Sequence, residues 1–205
     1  MSDIYHEGQR QLQDRFDTRR LADRLDEALV QDEILPSDKD FIERLDMFFI
    51  ATVDERGRVN CSYKAGDPGF VRVLDEHTLA FPNYDGNGMY LTMGNILKTR
   101  QVGMLFIDFE NQKRMRLNGE ASINANDPLM QEYPEAQFMV RVRAREVFAN
   151  CPRYIHKMKL VQRSRFVPKK ECTTPVPGWK KGEWVADALP GDDPARDPSR
   201  EVIDR

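Results

Sequence analysis

The stretch from Lys113 to Ile123, KRMRLNGEASI, sets the frame for the rest of the chain. Met115, Leu117, Gly119, Ala121 and Ile123 occupy every second position, with Arg114, Arg116, Asn118, Glu120 and Ser122 between them. A period of two puts alternate side chains on opposite faces, so this segment reads as a strand with one face buried. Downstream, NDPLMQEY predicts one helical turn, and FMVRVRAREVF (138–148) alternates again. Upstream, a turn at ENQK follows the apolar strand VGMLFIDF (102–109), and the residues from about Met89 to Thr99 read as a short helix. Further back, GFVRVL and TLAFPN pair around DEH, while MFFIATVD and RVNCSYKA form a hairpin around DERG, with the change of period at Met47. Six or so antiparallel strands with brief helical interruptions predict a mainly β fold, a closed or nearly closed barrel with peripheral helices. Regular hairpin spacing argues against βαβ units.

Outside the strands the pattern changes twice. Residues 8–31 read as one helix carrying Leu12, Phe16, Leu21, Leu25 and Leu29 on a docking stripe. After a break at Pro36, Ser37 and Asp40 predict the cap of a short helix bearing Phe41, Ile42 and Leu45. Beyond Pro168 the composition turns to Pro, Gly and charge, and from about Pro190 the tail is expected to be flexible. The expected organisation is an N-terminal helical segment (1–46), one barrel domain (47–168) and an extension (169–205).

The 205 residues are 40% apolar and 32% charged, with a formal net charge of −3. This is a globular composition, with no global attraction to nucleic acid or an anionic membrane. No run approaches the ~20 apolar residues of a membrane span, and MSDIYHEGQR has no apolar secretion signal. Cys61, Cys151 and Cys172 are odd in number and widely spaced, which fits a reducing cytoplasm. They and His6, His77 and His156 show no zinc-ligand spacing, so no metal is expected. Arg141, Arg143 and Arg145 alternate along a strand without interleaved aromatics, which is the pattern of a solvated or interface face rather than a nucleic-acid platform.

Three irregular segments are chemically dense. SYKAGDPGFVR (62–72) sets Lys64 and Arg72 around a turn, where they could neutralise an anion or simply be solvated. FPNYDGNGMYLTMGNI (81–96) leads a Gly- and Asn-rich loop into a helix start, with Asn83, Asn87, Thr92 and Asn95 as donors. Such a start can receive a phosphate, although tight-turn chemistry alone would also account for the residues. NCPRYIH (150–156) packs Cys151 beside Arg153, Tyr154 and His156. It reads either as an inert cysteine at a helix start or as the nucleophile of a Cys/His hydrolase.

In this order, the segments FFIATVDERGRVNCSYKAGDPGFVRV, LAFPNYDGNGM, GNIL, VGMLFIDF and NCPRYIH resemble the pyridoxamine 5′-phosphate oxidase-like, FMN-binding split-barrel family, over about residues 48–167. The resemblance implies a six-stranded antiparallel split barrel, FMN as cofactor, and a homodimer with the flavin at the subunit interface. It lays Phe70 and Val71, through their backbone, and the Arg72 cation along the flavin ring, and Lys64 near the ring or ribityl edge. Asn83 through Asn95, with Asn87, Thr92 and Asn95 foremost, form the ribityl and phosphate end. Asn150, Arg153 and Tyr154, with Trp179 or Trp184, would reach the flavin of the other subunit. The resembled bacterial subgroup usually carries a phosphate-gripping arginine where Leu91 stands here, so Lys64, Arg72 or Lys98 takes its place, the ligand differs, or tight flavin binding is lost. The activity implied is that of an FMN-dependent oxidoreductase acting on a small molecule. Alternatives are a flavin-storage module without turnover and a deazaflavin- or haem-binding barrel. No residue reads as an obligatory catalytic acid or base, and KECTTPVPGWKKGEW (170–184) does not resemble the substrate-gripping tail of the true oxidases.

Overall fold

The computed structural model describes residues 4–204. Residues 1–3 and Arg205, at the ends of the expected helical segment and extension, lie outside it. Seven strands form one antiparallel sheet: β1 (Met47–Val53), β2 (Val59–Ala65), β3 (Arg72–Asp75), β4 (Thr78–Asn83), β5 (Gln101–Asp108), β6 (Lys113–Asn124) and β7 (Phe138–Ala149). Their spatial order is β2-β1-β5-β6-β7-β4-β3. The sheet has seven strands where a six-stranded barrel is expected: each of the seven segments read as strands forms one, with GFVRVL reduced to the four-residue edge strand β3.

Three strands separate β1 from β4, which in a flat sheet would put them about 19 Å apart at ~4.8 Å per strand. The rings of Phe48 on β1 and Phe81 on β4 nevertheless meet edge-to-face at 5.0 Å. The sheet is therefore curled into a barrel, and Phe48 also touches Phe106 on β5 and Phe70 before β3. The alternation on β6 becomes geometry: Met115, Leu117, Gly119 and Ala121 are buried while Arg116, Glu120 and Ser122 face out. At Gly119 the register with β7 shifts, and a Cβ there would collide with the carbonyl of Arg143. Only glycine allows this bulge, which bends the two longest strands around the core.

The N-terminal segment departs from the sequence reading. The expected single helix is two, α1 (Glu7–Arg15) and α2 (Arg19–Leu29), broken where Asp17 adopts a φ of 52°. The pair pack on each other through Arg10–Asp23 (2.6 Å) and the Tyr5 hydroxyl donating to Ala22 O (3.2 Å). The five apolar residues of the stripe accordingly remain exposed, from 44% at Leu25 to 66% at Phe16. The next helix, α3 (Pro36–Glu43), is capped at Leu35, two residues before the expected Ser37, and the Asp38 carboxylate accepts from Leu35 N at 3.1 Å. A further helix, α4 (Leu91–Thr99), packs on β1, β2, β5 and β6. Among the described residues no helix is long and apolar enough to cross a membrane.

The extension carries local structure. Val176–Pro177 and Val202–Ile203 form a two-stranded parallel pair, β8 and β9, around a short helix α5 (Glu183–Ala186). Lys180, 3% exposed, reaches Asp85 at 2.6 Å and Asp193 at 2.8 Å and fastens this segment to the loop after β4.

Candidate anion and cofactor site

Between β4 and α4 the chain runs through Tyr84–Tyr90. Gly88 has a φ of 73° and Tyr90 one of 48°, the left-handed region that a glycine tolerates most readily. The Asn87 side-chain oxygen accepts from Met89 N at 3.0 Å, a short-range turn that explains the local Gly/Asn composition. At the helix start Tyr90 supplies no side-chain cap. Gly94 N bonds to Tyr90 O at 2.7 Å, so the N–H groups of Leu91, Thr92 and Met93 precede the first intrahelical bond. They form the positive end of α4.

Hydrogen bonds fix that helix end. Thr92 Oγ1 lies 2.8 Å from Ser62 Oγ and accepts from Asn60 Nδ2 at 3.2 Å, both on β2. One turn later Asn95 Nδ2 donates to Thr52 Oγ1 on β1 at 3.0 Å, and Thr99 Oγ1 donates to Val53 O at 2.7 Å. Met93 and Ile96 enter the core from the other face of the helix. The helix start is thus positioned by a rigid strand pair.

A cavity of about 340 Å3 opens at this helix start, lined by Ser62, Tyr63 and Lys64 of β2, Asn83, Tyr84 and Gly86–Met93. Lys64 is half-buried, and burial lowers its pKa from the ordinary lysine value. No hydrogen-bond or ion-pair partner is described for its ammonium. Burial, with Tyr133 and Asp67 nearby, pushes the Tyr84 hydroxyl far up, so it stays protonated and able to donate. The described lining contains no carboxylate, histidine or cysteine. An unpaired cation facing free helix N–H groups is a receptor for an anion, and a phosphate monoester matches that donor set.

Of the expected site residues, Lys64, Asn83, Asn87 and Thr92 come together on this cavity. The Asn83 amide already donates to Tyr84 O (3.2 Å) and Gln137 Oε1 (2.9 Å). Asn95 turns away to Thr52. Phe70 and Val71 point into the core, and Arg72 pairs with Glu132 at 2.7 Å. Lys98 sits in the last turn of α4, the far end from the cavity. Of the three cations able to stand in for the arginine that Leu91 replaces, Lys64 is the one on the cavity, and Leu91 itself is 54% exposed at its rim. Asn150, Arg153 and Tyr154 lie outside the cavity of this chain. Asn150 Oδ1 is buried without a partner, and Tyr154 projects 91% exposed. Ser62, Tyr84 and Met89 line the cavity without having been singled out, although each lies inside one of the dense segments.

The Cys151 thiol accepts from Arg153 Nε at 3.2 Å. Hydrogen bonds from Arg153, aided by the charges of Arg153 and Arg114, lower its pKa. These neighbours stabilise a thiolate, but neither can act as a base, and no hydrogen bond from His156 to Cys151 is described among these residues. Among the described residues no cluster of His, Cys, Asp and Glu is suited to a metal ion. Of the strand arginines, Arg141 pairs with Asp127 at 2.6 Å and Arg145 with Glu146 at 2.9 Å.

Residues 34–165 match the family described as pyridoxamine 5′-phosphate oxidase, which covers more than half of the chain. No curated protein matches. Solved structures with a similar fold include HupZ from Group A Streptococcus, at 20% identity over 57% of this chain and 93% of that one, with a TM-score of 0.47. A candidate pyridoxamine 5′-phosphate oxidase from Lactobacillus delbrueckii is 23% identical over 58% and 96% of the two chains, with a TM-score of 0.47. HutZ, the heme storage protein from Vibrio cholerae, is 19% identical over 57% and 94%, with a TM-score of 0.42. Identities this low carry no ligand from one chain to the other.

Proposed function

The chain belongs to the pyridoxamine 5′-phosphate oxidase family, and from that premise we propose that it binds FMN with the phosphate at the start of α4, beside Lys64. The observation that carries this reading is the half-buried Lys64 ammonium without a described partner, on the same cavity as the free N–H groups of Leu91, Thr92 and Met93. An unpaired half-buried cation is costly, and a phosphate would relieve it. Lys64 would supply the charge that the resemblance assigns to an arginine at position 91. Thr92 and the three N–H groups would orient the phosphate oxygens, and the Tyr84 hydroxyl would donate to a neighbouring acceptor.

FMN, when bound, supplies hydride or electron transfer, and we propose an FMN-dependent oxidoreductase acting on a small molecule. The residues of this chain would hold and orient the cofactor. The described lining without carboxylate, histidine or cysteine favours a second reading, a flavin-binding module without turnover. Anaerobic addition of NAD(P)H to the FMN-loaded protein separates the two. Bleaching of the flavin and recovery with an added acceptor support the enzyme, whereas a flavin that stays oxidised supports the module. A protein that leaves added FMN free in solution contradicts both.

We further propose a homodimer with the flavin at its interface. The exposed Tyr63 ring, packed on Phe49 at 5.9 Å on the outer face of the β1–β2 hairpin, supports such a contact. A monomeric mass by light scattering, with FMN bound, would contradict it. Three free, exposed cysteines accord with a reducing compartment, and a cytoplasmic location is proposed on that ground.

A further inference from the structure

The docked extension encloses a second, larger cleft of about 1320 Å3 against the Tyr84–Tyr90 loop. The smaller cavity shares Tyr84 and Gly86–Tyr90 with it, so one loop walls both. The walls of the large cleft are aromatic, with Tyr84, Tyr90, Phe166 and Trp179 set among prolines. Tyr90 is held by its hydroxyl donating to Gln137 Oε1 at 3.0 Å, and the Trp179 ring is 42% exposed.

Charge decides what such a cleft accepts. Five carboxylates and two cations line it, a formal balance of −3. Both cations are engaged. Lys180 is held by Asp85 and Asp193, and Arg200 Nη1 donates to Glu135 Oε1 at 3.0 Å and Thr174 O at 2.9 Å. Asp192 and Asp204 have no ion pair among the described residues. The cleft therefore offers an anion no free cation, and it surrounds a flat ligand with negative charge and π-faces. The Trp179 ring already has one cation near it, the Lys180 ammonium at 5.9 Å from its centroid. Aromatic faces and uncompensated carboxylates together favour planar cations.

We propose that this cleft is a binding site for a flat aromatic cation of the N-alkylpyridinium or N-alkylquinolinium class, stacked on Trp179 and Tyr90 and balanced by Asp192 and Asp204. The site is distinct from the phosphate-binding cavity and does not require flavin. The site can be tested by calorimetric titration of the full-length protein at low salt with 1-methylquinolinium and, separately, quinoline-2-carboxylate, each with and without saturating FMN. The cation is expected to bind at least tenfold more tightly than the anion, with or without FMN. Trp179→Ala should weaken it at least fivefold, and Asp192→Lys, an exposed change that leaves the fold intact, at least threefold. No binding of the cation, equal affinity for the two probes, displacement by FMN, or wild-type affinity in either variant would overturn the proposal.

Discussion

Replacing Lys180 by methionine keeps the length and apolar packing of the side chain while deleting its charge. In the wild type Lys180, 3% exposed, sets its ammonium between Asp85 and Asp193, whose side chains are 44% and 5% exposed. Burial opposes the lysine charge, but hydrogen bonds to the Asp193 and Asp85 carboxylates outweigh it and hold its pKa above the ordinary value. Burial likewise opposes the Asp193 charge, and Lys180 with the Ala195 N–H holds its pKa below the ordinary value. Breaking one partner out of a buried ion pair costs about 3–5 kcal/mol. Asp85 can rehydrate and Asp193 keeps Ala195 N at 2.8 Å, so the low end applies. About 3 kcal/mol is a factor of roughly 150 in an equilibrium constant. Hydrogen exchange reads it directly: amides across 176–203 should exchange about 100-fold faster in Lys180→Met, with β6 and β7 unchanged. Adding Asp193→Asn should restore at least about 1 kcal/mol, because the orphaned charge is then gone. Unchanged exchange in the single variant, or no recovery in the double, would refute the charge-latch reasoning. The signs also fix a pH window. The lowered Asp193 pKa gives stability present above about pH 4 and lost as pH falls through its folded value. The raised Lys180 pKa gives stability present below about pH 10 and lost as pH rises through its folded value.

Lys64→Met should weaken FMN binding by about 10- to 150-fold, the ~1.5–3 kcal/mol of a hydrogen bond to a charged group, as read by flavin fluorescence quenching; unchanged affinity would remove Lys64 from the site. Leu91→Arg should tighten FMN about three- to tenfold, less than a buried arginine would, because position 91 is exposed at the rim; an unchanged or weaker dissociation constant would count against a phosphate at this loop. Asp127, 2% exposed, has its pKa lowered chiefly by its hydrogen bond with Arg141, against the effect of burial. Its stabilisation is present above about pH 4 and lost as pH falls through the depressed value. Asp127→Asn should cost about 2 kcal/mol at neutral pH by denaturant unfolding, with a gap that closes toward pH 2; a constant gap would show that the carboxylate charge is not responsible.

The parts of the fold legible in the sequence are those set by local alternation. β6 was readable because each apolar residue from Met115 to Ala121 has an outward polar neighbour, and its face matches the observed burial. The break between α1 and α2 carried a weak local signal, the five-residue step from Phe16 to Leu21 that departs from helical spacing. Within the candidate site, Lys64, Asn87 and Thr92 were found because loop chemistry and a helix start are local features. Phe70 and Val71 were laid along a ligand by the resemblance, through their backbone, and the burial of their side chains in the core depends on the curl of the barrel, which is not a local feature. The docking of the extension was hidden for a related reason. Lys180 and Asp85 are 95 residues apart, and nothing near either one announces the other.

The comparison of FMN with riboflavin, which lacks only the phosphate, tests the central claim most directly. Titrated into the purified protein, FMN should bind at least about tenfold more tightly than riboflavin, the lower bound for a charge-assisted phosphate contact, and Lys64→Met should erase most of that difference. Equal affinities for the two flavins, or a protein that binds neither, would contradict a phosphate site at the start of α4.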